Sequence, residues 1–412
     1  AFDDYVNSLG SADNESAEQA DPTDKPDEQL VAATARPWNA KEFPLLAGWL
    51  NDGQKPLELA VAASERPKFY SPALGGEETL NATPLPATRA GRRVAQALVA
   101  RAMQSAERGD FDPAWSDLLA SHRLARLVSQ GLGVVNSLVA TGIERMTCTA
   151  DHALAAVVTD PERIGKMLDD LNALPPLPPF ADQIDGFDRL AYLDMVRAVA
   201  QAGPQILTGE RVLAQGAPED WLANSYSIDW DVALREGNDW YDRIAAMHRL
   251  PTWAERAKAA AELTREMNAL PGPSNASAFL GQVTSGLIAR DDASKQMAAI
   301  LIRLYAPAFS ASTGIETSAA VSLDLARLSL ALAGYHARHG KYPAELKALS
   351  PEWLAKIPLD GFSDAAFHYQ PHDDGYLLYS IGANGTDDGG ASADTEHPHA
   401  DDLAIRRDAA KP

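Results

Sequence analysis

The sequence predicts a mainly α-helical protein, built of stacked antiparallel helices and closed by a small C-terminal α+β module. Three observations carry this. From Thr88 to His339 apolar residues recur three and four apart, in runs divided by Pro and Gly. After residue 365 the pattern changes to alternation, with Phe367/Tyr369 and then Leu377/Tyr379/Ile381. The tail from Gly382 to Asp402 is dense in Gly and Asp.

Taken in order, the first thirty residues set nine acidic side chains against Lys25 and hold few large apolar groups. They read as a solvated, flexible segment over 1–30. A helical body is expected over 31–312 and the α+β module over 313–412. Phe43–Leu50 and Pro56–Ala63 are short amphipathic helices among prolines. Val94, Leu98, Ala102 and Ala106 stripe a longer helix that Gly109-Asp110 ends, and Asp112-Pro113 opens the next. Val135, Leu138, Val139, Ile143, Met146 and Leu154 mark a third, and Asp160-Pro161 starts a fourth. The Arg101–Leu119 pair resembles one hairpin of tetratricopeptide-type repeats, with no second copy at their period. Further helices are expected over Asp182–Ala202, Ile228–Leu250, Pro251–Leu270 and Ala276–Ala308, broken at Gly203-Pro204, Gly216-Ala217-Pro218 and Pro271-Gly272-Pro273-Ser274. In the module, Ile315–His339 carries apolar residues on two sides. That predicts one face on the body and one on a hairpin formed by Ala366–Gln370 and Tyr376–Ile381 and turned at Pro371–Gly375.

Length and composition bound the function. A chain of 412 residues with 46% hydrophobic content can bury a sizeable core. Its net charge of −21 argues against nucleic acid and anionic lipid as general partners. The single cysteine, Cys148, lies in an apolar helical pattern and reads as a buried thiol. No apolar run reaches the ~20 residues that span a bilayer. A signal or membrane tether ahead of Ala1 is an expectation that fits the acidic start. The sequence has no Gly-x-Ser-x-Gly elbow, phosphate loop, dinucleotide fingerprint or His-Glu-x-x-His, and the expectation is a protein without catalytic residues.

Calcium takes six to eight oxygens from carboxylates, amides, backbone carbonyls and water. Asn384, Asp387, Asp388, Asp394, Asp401 and Asp402 can supply side-chain oxygens, while the glycines let the backbone aim its carbonyls inward. The spacing is not that of an EF-hand. Lys341-Tyr342-Pro343, Pro358-Leu359-Asp360 and Ser380–Gly385, following a long helix and closed by Asp401-Asp402, resemble the soluble domain of the major pseudopilin of type II secretion systems. The resemblance covers roughly residues 320–407, about a fifth of the chain. It implies a calcium site with the backbone carbonyls of Ile381 and Thr386, the side chain of Asn384 where the family has Asp, and the pair Asp401 and Asp402. With Asp387 and Asp388 these residues form the expected ligand set for structural calcium.

The resulting expectation is a non-enzymatic, extracytoplasmic bacterial scaffold with a calcium-pinned module and an unidentified protein partner. A glycan-binding or glycan-hydrolysing protein is a second reading. It would use the Trp/Asp-rich stretch from Trp221 to Asp242, where Asp229, Asp231, Glu236, Asp239 and Asp242 stand beside Trp230, Trp240 and Tyr241. A third is a cytoplasmic helical scaffold whose loop holds no ion. His336 with His339, and His397 with His399, are minor candidates for a transition metal.

Overall fold

Helices dominate, and a three-stranded antiparallel sheet closes the chain. The computed structural model describes residues 26–72, 79–80, 85–202, 228–272, 288–372, 375–393 and 397–407. The acidic segment up to residue 25, the breaks at Gly203-Pro204, Gly216-Ala217-Pro218 and Pro273-Ser274, the helix start at Ala276, Trp221 and the turn residues Asp373-Asp374 lie outside the described residues.

Three short helices come first: α1 (Pro26–Ala35), α2 (Pro44–Asp52) and α3 (Gln54–Ser64). The long hairpin follows as α4 (Pro86–Glu107) and α5 (Phe111–Val128), joined through Gly109 in the left-handed region. Next come α6 (Gly133–Ala155) and α7 (Pro161–Ala173), and the N-cap of α7 is the expected Asp160, whose carboxylate accepts from the Glu162 N–H. The expected helix over Asp182–Ala202 runs as α8 in three pieces: Phe180–Gln183, a π-helical turn Ile184–Asp188, and Arg189–Ala202. Then come α9 (Trp230–His248), α10 (Trp253–Asn268) and α11 (Arg290–Tyr305). A reciprocal capping box between Thr252 and Glu255 begins α10.

The last helix, α12 (Pro307–His339), is longer than its apolar stripe predicted. Pro307 occupies its first turn, where a missing N–H costs nothing, so proline starts the helix instead of breaking it. Residue 312, the expected boundary of body and module, lies inside this continuous helix. The C-cap is Gly340 at φ 69°, as Gly340-Lys341-Tyr342-Pro343 suggested.

The strands are β1 (His368–His372), β2 (Gly375–Ser380) and β3 (Leu403–Arg407), in the order β1-β2-β3. Tyr379 lies opposite His368 on one side of β2 and opposite Ala404 on the other. The sequence reading did not include β3. Its Leu403-Ala404-Ile405-Arg406-Arg407 carries only weak alternation, and pairing with β2 outweighs that local ambiguity.

Two large apolar cores, and a small third one of Ala95, Ala125, Val128, Ala140 and Ile143 between α4, α5 and α6, lie among the described residues. The larger joins residues of α1–α7 to Leu325, Leu328, Leu330 and Leu332 of α12 and to Tyr376, Leu378 and Ile405 of the sheet. The second gathers α8–α11 around Tyr192, Trp240, Tyr241, Ile244 and Met297. Thus α12 packs on α6, α7 and α10 and also meets β2 and β3, as its two apolar sides predicted.

The π-helical turn performs a specific task. Leu132 stands at the N-cap of α6 and has no side-chain oxygen to cap with. The first donors are met from α8 instead. Gln183 Oε1 accepts from the Gly133 N–H at 3.1 Å, and Asp188 Oδ2 accepts from the Val134 N–H at 2.8 Å. Burial pushes the Asp188 carboxyl up to about 6, against the lowering effect of the Val134 N–H.

Two predictions follow from this packing. A Cβ on Gly334 of α12 would lie 2.3 Å from the Trp353 ring. Gly334→Ala is therefore expected to cost about 1–3 kcal/mol, read as a lowered urea midpoint. For Asp188, the folded chain holds a proton between the unfolded value of ~3.9 and the folded one, so stability falls as pH rises through this interval, by on the order of 2 kcal/mol. Asp188→Asn should flatten that slope in urea titrations between pH 4 and about 7.

Candidate metal centre

The loop that follows β2 is anchored from below by Asp360. This residue is fully buried. Its Oδ1 accepts from Ser380 Oγ at 2.7 Å and the Phe362 N–H at 3.0 Å. Its Oδ2 accepts from Ser363 Oγ at 3.1 Å and the Ile381 N–H at 3.4 Å. One carboxylate thus ties the Pro358-Leu359-Asp360 turn to the end of β2.

From there the chain folds back over the outer face of the sheet. At Gly390 (φ 79°) a Cβ would meet Leu377 at 3.1 Å and Tyr379 at 3.4 Å, and at Gly382 (φ 70°) it would meet Asp401 at 2.2 Å. Both positions need glycine for conformation and for space. Arg406 donates to the Gly390 carbonyl at 2.7 Å, which clamps the loop to β3.

Asp401 and Asp402 end the loop just before β3 and turn inward. Asp401 Oδ2 accepts from the N–H groups of Ala383 and Asn384, both at 3.0 Å. Asp402 Oδ2 accepts from the N–H groups of Gly390 at 2.7 Å and Asp388 at 3.1 Å. The other oxygen of each, Oδ1, is buried and has no hydrogen-bond partner. Asp402 is 0% exposed. Carboxylate oxygens of Asp388, Asp401 and Asp402 lie within 4.8 Å of one another. Burial, together with the charges of Asp388 and Asp387, pushes the Asp402 carboxyl above its ordinary range, against the pull of the Gly390 and Asp388 N–H groups. Like charges gathered around unpaired buried oxygens are costly unless a cation is present.

The expected ligands separate into two groups. Asp388, Asp401 and Asp402 converge. Asn384 sits at the rim. Its amide nitrogen donates to Asp388 Oδ2 at 3.1 Å and to the His399 carbonyl at 3.0 Å, and its oxygen accepts from the Thr386 N–H at 2.6 Å. Ile381 is held through its N–H to Asp360. Asp387 faces the other way, accepting from Tyr379 O–H and the Gly389 N–H, with His368 Nδ1 3.5 Å away. The Gly389 N–H holds the Asp387 carboxyl below its ordinary range, with help from Tyr379 and His368. Asp394 lies outside the described residues. Sequence reasoning had singled out Pro358-Leu359-Asp360 without a role for Asp360. The signal available was an Asp ahead of a strand ending in Ser380.

The other candidates fall elsewhere. Trp240 and Tyr241 are buried in the second core. Asp229 caps α9, and Asp242 pairs with Arg189. The His336 ring packs on Tyr342 and the His339 ring on Tyr335. A further alignment went unforeseen. His248 Nδ1 lies 3.1 Å from Glu316 Oε2, and His248 Nε2 lies 3.4 Å from Ser312 Oγ. Ser312 is 2% exposed within α12, and these contacts tie α9 to that helix.

No family model, curated protein or solved structure matches this chain. Among the described residues, no helix is long and apolar enough to cross a membrane.

Asp360→Ala would strand four donors and is expected to cost about 3 kcal/mol. Hydrogen exchange should show Ile381 and the loop beyond it losing protection together, with the α4–α5 hairpin unchanged.

Proposed function

We propose that this chain is a non-enzymatic, extracytoplasmic scaffold. Its helical body offers the surface for a protein partner, and its pseudopilin-like C-terminal module is closed by a structural calcium ion. The observation that carries this reading is the pair of buried, unpartnered oxygens on Asp401 and Asp402, set beside Asp388. Hard oxygen donors on a glycine-rich loop suit calcium. Asp388, Asp401 and Asp402 would hold the ion, and of the other ligands that the resemblance implies the carbonyls of Ile381 and Thr386 would complete the set, with the Asn384 side chain at the rim.

The calcium acts by neutralising charge. Bound, it would offset three carboxylates that otherwise repel across a few ångströms. The loop would then stay folded over Leu377 and Tyr379, and β3 would stay paired with β2. Three carboxylates in a loop of this kind favour the weaker affinities typical of extracellular modules, about 10⁻⁴–10⁻³ M. An extracytoplasmic setting supplies calcium at such levels, which is why the two halves of the proposal belong together. The net charge of −21 suits a partner with a basic face.

Thermal unfolding in millimolar calcium and in chelator tests the proposal. At a calcium concentration ten times the dissociation constant, which millimolar calcium can reach, the gain is about 1.4 kcal/mol. It should appear as a higher melting temperature and as slowed amide exchange over residues 381–402. Asp402→Asn should abolish the calcium response, while magnesium at equal concentration should reproduce little of it. An identical melting curve with calcium and with chelator would overturn the reading.

A further inference from the structure

A second cluster lies between α5 and α6, and its donors are of a different chemical kind. His122 of α5 and Cys148 and Asp151 of α6 are 0%, 1% and 0% exposed. Each offers a ligand atom, and these atoms all lie within 4.8 Å of one another. Cys148 and Asp151 are three residues apart on α6, so one face of the helix presents both. His122 meets them across the helix–helix contact. Its Nε2 is 2.9 Å from Asp151 Oδ2.

Two further features favour a metal. Asp151 Oδ1 is buried and has no hydrogen-bond partner, although the residue is wholly excluded from solvent. An orphaned oxygen of this kind is costly unless something binds it. On the opposite side of the ring, Nδ1 of His122 is 3.0 Å from Glu144 Oε2. A carboxylate behind an imidazole orients the ring and leaves Nε2 as the ligating nitrogen. Glu144 is itself committed to Arg126, whose guanidinium donates to both of its oxygens at 2.8 and 3.0 Å. That ion pair balances its own charge and leaves Asp151 and Cys148 as the anionic donors.

We propose that His122 Nε2, Cys148 Sγ and the two carboxylate oxygens of Asp151 form a closed site for a borderline-soft divalent ion, zinc in the first instance. One nitrogen, one sulfur and two oxygens give the four donor atoms that zinc takes in structural sites. A thiolate and an imidazole discriminate against calcium and magnesium. The charge change is neutral overall. Zinc brings two positive charges as one proton leaves Nε2 of the imidazolium and one leaves Sγ of the thiol, so the buried site keeps its net charge. The ion would cross-link α5 to α6 at the point where α6 also packs on α12. The metal-free alternative is an imidazolium shared between Glu144 and Asp151.

The test uses the full-length chain, expressed without a metal-affinity tag. Elemental analysis after gel filtration in metal-free buffer is expected to find about one zinc ion per chain, with a loss of at least tenfold in Cys148→Ala. Chelator-stripped protein titrated with cobalt(II) should develop a thiolate-to-cobalt charge-transfer band in the near ultraviolet. That band should be absent from Cys148→Ala and intact in Asp402→Asn, which separates this site from the calcium loop. Zinc should raise the melting temperature of the stripped wild type by roughly 5 °C. Zinc-free wild type that shows no cobalt–thiolate band, or a band that survives in Cys148→Ala, overturns the proposal. If stripping unfolds the chain, the zinc contents of the two purified proteins decide alone.

Discussion

The rest of the architecture depends on the burial of α12 along both of its apolar sides. Leu325, Leu328, Leu330 and Leu332 are all nearly or wholly buried, and one core receives them together with residues from α1–α7 and from the sheet. A small sheet is stable only when its apolar face is covered. The sheet is stable because Leu378, Tyr376 and Ile405 rest on a helix that the body already holds in place. Tyr376 O–H and Ser329 Oγ, 3.2 Å apart, satisfy each other inside this contact. The module is thus an extension of the helical body that shares its core.

On that support the two clusters of charged side chains are held very differently. At the loop, backbone N–H groups grip one oxygen each of Asp401 and Asp402 and aim the others inward, a feature of loop conformation and glycine placement. In the body, His122, Glu144, Asp151 and Arg126 are held by helix packing and by hydrogen bonds to one another, with next to no exposure. Burial disfavours a charged imidazole, yet Glu144 and Asp151 overcome this and push His122 up to about 9. Networks of this kind stabilise only when every member is satisfied. Both clusters leave carboxylate oxygens unmatched: Asp401 and Asp402 in the first, Asp151 in the second. The donors differ as their surroundings do, with hard oxygens on a folded loop in one and nitrogen and sulfur within a dry helix interface in the other.

How much could be read in advance follows from the range over which each signal acts. Helical periodicity is local, and the caps at Asp160 and Gly340 were legible for the same reason. The acidic, glycine-rich loop was legible as a segment because residue type and glycine density mark it. β3 was not, since Leu403–Arg407 becomes a strand only through its ladder with β2. The capping of α6 by Gln183 and Asp188 was not legible either, because those side chains come from the start of α8, fifty or more positions away. His122 carries no local mark of its role, since its partners lie on another helix and no spacing links them.

The sequence by itself determined the helical class, the position of the final helix and the presence of an acidic, glycine-rich loop, because propensity, periodicity and turn chemistry act over a few neighbouring residues. Tertiary structure alone decided which carboxylates meet, which of their oxygens are left unpaired and where a buried histidine finds its partners. Those outcomes depend on distances between segments far apart in the chain, and only packing sets those distances.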